Sequence, residues 1–94
     1  MAELRIGGLV RSRAGHDKNE LYVIMGLDER YVYVCDGRRH PAGKPKRKNR
    51  RHLAPLLAHD ENFEMKLTQA GGSRDEEIRA RIRGYQQEGI KKYV

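Results

Sequence analysis

The chain has no tryptophan, one phenylalanine and one cysteine, and each scarcity removes a class of protein. With Cys35 alone, no intramolecular disulfide forms, so nothing marks an oxidising compartment and the core must hold without covalent staples. Large aromatic side chains are few, and 37% apolar residues stand against 35% charged. A deep apolar pocket of the kind most enzymes enclose is therefore hard to build. Long apolar runs are also missing. The longest, Leu21 to Met25 and the equally long Tyr31 to Cys35, each cover a quarter of the roughly 20 residues that a bilayer crossing needs. Met1-Ala2-Glu3 opens the chain without the basic and apolar stretches of a signal peptide, and a cytoplasmic location is expected.

Metal and catalytic patterns are equally thin. His16, His40, His52, His59 and Cys35 show no Cys-x-x-Cys or His-x-x-x-His spacing, and His40 and His52 sit among cations that repel a metal ion. Gly7-Gly8 and Gly71-Gly72 lack the spacing and the Lys-Ser/Thr of a phosphate loop. The acidic pairs Asp28-Glu29 and Asp60-Glu61, and Asp75 to Glu77, fall in turns or at a helix start, where solvation or the helix dipole explains them. No nucleophile, base and orienting trio is visible. The sequence is thus expected to be non-enzymatic, without cofactor, metal or small-molecule substrate, and a monomer by default.

The absence of one charge sign is the most informative. Arg38 to His52 holds eight cations and no acid. Met1 to Gly37 has five cations against six acids, and Leu53 to Val94 has seven of each. The net charge of +7 therefore resides in one short internal segment. Such a cluster creates a local field that a polyanion neutralises by releasing counterions. Arginine forks onto phosphate or stacks on bases, whereas lysine acts as a mobile point charge. Lys44-Pro45-Lys46-Arg47-Lys48 also resembles a nuclear-import signal.

The first half of the chain has β character. From Ile6 to Ala14 one parity carries Ile6, Gly8, Val10 and Ser12, while the other carries Arg5, Arg11 and Arg13 with Leu9 as its exception. Ala14 to Asn19 is rich in turn formers. Leu21 to Met25 is apolar on both parities, as befits a strand covered on each side. In Arg30 to Cys35, Val32 and Val34 share one face and Tyr31, Tyr33 and Cys35 the other. Asp36-Gly37 then favours a tight turn, with Arg38 to His40 starting a returning strand. Pro41, Gly43 and Pro45 make residues 41–48 a basic loop, and Asn49 to Leu53 forms a short closing strand. Four or five short strands with brief turns give a small barrel or rolled sheet.

The second half differs. Ser73-Arg74-Asp75-Glu76 has the capping-box pattern, and Ile78, Ile82 and Tyr85 recur at helical spacing. These predict a helix from about Arg74 to Gln87, with Asp75–Arg79 and Glu77–Arg81 spaced to pair. Within residues 58–70, Phe63, Met65 and Leu67 suit a strand and Phe63, Leu67 and Ala70 a helix. Gly71-Gly72 as a stop, and Thr68 as the single β-branched residue, favour the helix.

The segment Gly8 to Ile24 resembles the KOW motif of ribosomal and transcription-elongation proteins. Gly8-Leu9-Val10 matches its opening, Gly15 its fixed glycine, Lys18 its turn lysine and Tyr22-Val23-Ile24 its second strand. Asn19 stands where that family commonly has glycine. Ser12 to Lys18, Tyr31 to Gly37, Lys44 to Asn49 leading to His52-Leu53, and Glu77-Ile78-Arg79 are similar to one group. These are the short bacterial KOW-domain RNA-binding proteins related to eukaryotic-type large-subunit ribosomal proteins of the L-fourteen-e class. The resemblance implies an SH3-like β-barrel over residues 1–54 and RNA, such as that of the ribosome, as partner; the helical patterns make residues 55–94 a helical appendage. It carries RNA contact to Gly15, Lys18 and the cations after Gly37. His16 lies in the same turn, and Arg11 and Arg13 extend the basic surface or are ordinary solvated arginines.

The expected interface is thus Arg11, Arg13, Gly15, His16, Lys18, Arg38, Arg39, Lys44, Lys46, Arg47, Lys48, Arg50 and Arg51. Tyr31 and Tyr33 join it if they stack on unpaired bases; the alternative is that they pack under the C-terminal helix. A second function remains open, in which the small barrel docks a peptide or an acidic protein, since fold alone does not decide function.

Overall fold

The computed structural model describes residues 4–57, 61–68 and 74–91. Five strands form one antiparallel sheet: β1 (Leu9–Ser12), β2 (Leu21–Leu27), β3 (Tyr31–Cys35), β4 (Lys46–Asn49) and β5 (Leu53–Leu57), in the order β4-β3-β2-β1-β5. Two helices follow, α1 (Glu61–Thr68) and α2 (Arg74–Lys91). No helix among the described residues is long and apolar enough to cross a membrane.

The period-two pattern builds two cores, one on each side of the sheet. Val10, Tyr22, Ile24, Val32, Val34 and Leu53 pack together on one face. On the other, Leu9, Val23 and Cys35 meet Phe63 and Leu67 of α1 and Ile78 of α2, with Ile82 and Tyr85 partly buried against them. Each fully buried Val, Leu or Ile contributes roughly 1.5 to 3 kcal/mol. Leu9 breaks the polar parity of its strand because it faces the helices and is fully buried. The helical stripe Ile78, Ile82 and Tyr85 also lands as its spacing requires. The helices are therefore half of one core rather than an add-on, and the sheet runs through residue 54 to Leu57, which pairs with Leu9.

Turn chemistry fixes the strand order. Between β1 and β2, Gly15 and Asn19 take positive φ angles of 89° and 77°. Asn19 thus occupies the left-handed region that asparagine tolerates better than other non-glycine residues. Between β2 and β3, the Asp28 carboxylate accepts from the backbone N–H groups of Arg30 and Tyr31.

Three sequence expectations change after β3. Asp36 to His40 form a closed turn, not a returning strand: the Asp36 carboxylate accepts from the amides of Arg38 and His40, and Gly37 sits at φ 78°. The return is β4, so Lys46, Arg47 and Lys48 belong to a strand rather than a loop. Val34, Tyr33 and Val32 stand opposite them in register. Arg50 to His52 form a 3-10 turn capped by the Asn49 side chain, and the closing strand starts at Leu53.

The helix N-terminal pairing also differs. Asp75 accepts from the Ala42 amide at 2.7 Å and Arg79 donates to the Gly37 carbonyl, so both side chains clamp α2 onto the 36–40 turn rather than bonding each other. A Cβ at Gly37 would lie 2.5 Å from the Asp75 carbonyl oxygen; only glycine permits this approach. Ser73, the expected capping residue, lies outside the described residues.

Candidate nucleic-acid interface

Strand β4 sorts the basic segment by parity. Lys46 and Lys48 turn towards the β1–β2 turn, and Arg47 and Asn49 point away. Lys48 Nζ lies 2.8 Å from Asp17 Oδ1 and 3.3 Å from the Ala14 carbonyl, and Lys46 Nζ lies 3.1 Å from Asp17 Oδ2. The Lys48 and Asp17 side chains are only 9% and 11% exposed. Ser12 Oγ and Tyr22 Oη also donate to Asp17, at 2.9 and 2.7 Å. One carboxylate thus collects four donors and ties β1, β2, β4 and their turn together.

Burial raises the Asp17 pKa, but the bonds from Lys48, Tyr22, Lys46 and Ser12 outweigh it and hold the carboxyl well below its usual range. Tyr22 is displaced the other way, by burial first and then by the adjacent carboxylate. Lys48 is consequently a structural cation. Its expected contact with phosphate gives way to an internal role, because its ammonium is buried and already neutralised.

The other expected residues remain at the surface. Arg11, Arg13, Gly15, His16, Lys18, Arg38, Arg39, Lys44, Arg47 and Arg51 are exposed, while Lys46 and Arg50 are half-buried. The Arg50 Nε is shielded from solvent without a hydrogen-bond partner. The Arg13 amide donates to the His52 carbonyl and the Arg50 amide to the Arg30 carbonyl, which brings Arg13 and Arg30 beside the 50–52 turn. A groove of about 510 Å³ gathers His16, Arg38, Arg39, His40 and Lys46 around Tyr22, with Asp17, Glu20 and Asp36 also lining it.

Tyr31 and Tyr33 do not pack into the core under the C-terminal helix. They share the Cys35 face of β3 but are half-buried outside the core that the helices cover. The Arg47 guanidinium lies 4.6 Å from the Tyr31 ring centre, a cation–π arrangement. Tyr33 donates to Asp28 at 3.0 Å and leans over Gly26, where no side chain obstructs it. The Tyr33 phenol is raised chiefly by that bond, and Asp28 is lowered chiefly by the Tyr31 and Arg30 amides.

Cys35 is fully buried, and its thiol is pushed up to about 12, first by burial and then by Asp75 and Asp36. It is a packing residue rather than a nucleophile. Among the described residues, no three His, Cys, Asp or Glu side chains gather as a metal site.

Sequence reasoning missed Asp17, because its lysine partners are 29 and 31 residues away. It also missed Arg79 and Arg83, which line a second groove of about 270 Å³ with Glu20, Asp36 and Arg38. Their i, i+4 spacing on α2 is legible, but in a segment with no net charge it does not stand out. No family model matches the chain, and no curated protein matches it.

Proposed function

We propose that the chain is a non-catalytic, cytoplasmic RNA-binding protein on an SH3-like barrel of the KOW type, bound to structured RNA such as that of the ribosome. The carrying observation is the exposed arginine set, Arg38, Arg39, Arg47 and Arg51, mounted on short turns and an edge strand. In a flat sheet, four strand spacings of about 4.8 Å would separate β4 from β5 by roughly 19 Å. The link from Asn49 to Leu53 reaches at most about 14 Å. A sheet curled towards closure reconciles the two lengths, which supports the barrel reading.

Cations on an edge strand also have a bland explanation, since they discourage edge-to-edge pairing. That role needs neither arginine's fork nor further cations in the adjoining turns, and both are present. Phosphate fits them: the guanidiniums make paired, charge-assisted bonds. The rigid Asp17 cluster fixes the Gly15–Asn19 turn beside β4, so His16 and Lys18 extend the same surface.

Salt titration tests the reading. With five or six phosphates neutralised, the logarithm of RNA affinity falls against the logarithm of salt with a slope of roughly −4 to −5. Replacing Arg47 and Arg51 by alanine flattens that slope by about two units. An acidic protein of similar charge serves as the second arm. Equal or tighter binding to it would replace RNA by the protein-docking function, and an unchanged slope would remove these arginines from the interface.

A further inference from the structure

The two grooves adjoin. They share Glu20, Asp36 and Arg38 as walls. Arg39 and Lys46 line one of them and Arg83 on α2 the other. The walls are fixed: Gly37 lets α2 approach the turn backbone, Arg79 donates to its carbonyl, and Asp75 holds Ala42. Cations from β4, from the 36–40 turn and from α2 therefore line adjoining grooves. Three carboxylates, Asp17, Glu20 and Asp36, also line these grooves, and Asp17 already holds four donors. Asp36 is partly occupied with the Arg38 and His40 amides, whereas Glu20 is exposed.

We propose that the two grooves form one channel that takes a single strand of RNA, with its phosphates on Arg39, Arg38 and Arg83 and a ribose 2′-hydroxyl donating to Glu20. The proposal rests on the RNA-binding reading and makes α2 part of the interface. A carboxylate among phosphate-binding cations repels a phosphodiester but accepts from a hydroxyl. That is the chemistry that separates RNA from DNA. An extended strand can follow grooves lined by α2 and by the 36–40 turn.

Labelled oligouridine of about six nucleotides and its deoxyuridine counterpart, which share their base, provide the probes. The wild-type protein is expected to prefer the ribo form by roughly threefold to tenfold, the worth of one hydrogen bond. Glu20→Gln should reduce that preference without weakening the deoxy form. Arg83→Ala should weaken both by about tenfold and Arg83→Glu more, at unchanged melting temperature because Arg83 is exposed.

If Arg83→Ala binds as tightly as wild type while the Arg47, Arg51 double variant is weakened, the helix is not part of the interface and the channel proposal falls. Binding of folded RNA without oligouridine would also overturn the channel while leaving the RNA function. Binding of neither folded RNA nor oligouridine by the wild-type protein would count against the RNA function itself.

Discussion

Lys48 and Arg47 are neighbours on one strand, carry the same charge and face opposite ways. Lys48 is 9% exposed and bonded to Asp17; Arg47 is exposed and lies over Tyr31. The difference separates a cation enclosed by the fold from one displayed to solvent within a single charged run. Lysine's four-carbon stem packs inside the sheet while its ammonium meets a carboxylate. Arginine's planar fork remains outside, against an aromatic ring that orients it.

The strongest way to break the comparison is Asp17→Asn. It keeps the shape of the hub but leaves the Lys48 ammonium buried without a counter-charge, a loss of about 3 to 5 kcal/mol for breaking a buried pair. Urea unfolding at neutral pH measures it. Acid supplies the sign check. The folded carboxyl is depressed, so its contribution is complete above the unfolded value near 4 and fades as pH falls through the lower folded value. The gap between wild type and variant should therefore narrow as pH drops below about 4. A gap that widens in acid would mean that Asp17 is not the group holding the turn.

Lys48→Met sharpens the same contrast at smaller cost. The thioether refills much of the stem's volume, and Asp17 keeps its bonds from Lys46, Tyr22 and Ser12. A loss of about 1 to 2 kcal/mol is expected. The salt slope for RNA should not change at all, in contrast to the two-unit flattening for Arg47 and Arg51. Equal flattening by Lys48→Met would erase the division between inward and outward cations.

How much of this was legible depended on the range of the cause. Alternation reveals β1 to β3, because Val10, Val32 and Val34 need only their own sequence to declare a face. Strand β4 has no apolar residue and follows Pro45, so nothing local marks it; its extended form comes from pairing with Tyr31 to Val34. The helix stripe was readable for the same reason as β1 to β3. Its clamp was not, because Arg79 and Gly37 are 42 residues apart. For the interface, the concentration of charge was visible and its partition was not. Whether a cation faces water or a carboxylate is a tertiary fact.

The smallest expected effect tests whether burial, rather than the mere presence of an ion pair, decides the matter. Lys66 on α1 and Glu77 on α2 also form a lysine–carboxylate pair, at 3.6 Å, but their side chains are 57% and 43% exposed. Water screens these charges, and ordering two long side chains offsets most of the attraction, so exposed pairs contribute about 0 to 1 kcal/mol. Lys66→Ala should lower stability by less than about 0.5 kcal/mol, a loss that added salt further reduces. Urea unfolding at low and high salt reads both. A loss approaching that of Asp17→Asn would show that the inter-helix pair, and not enclosure by the sheet, governs the worth of a lysine in this molecule.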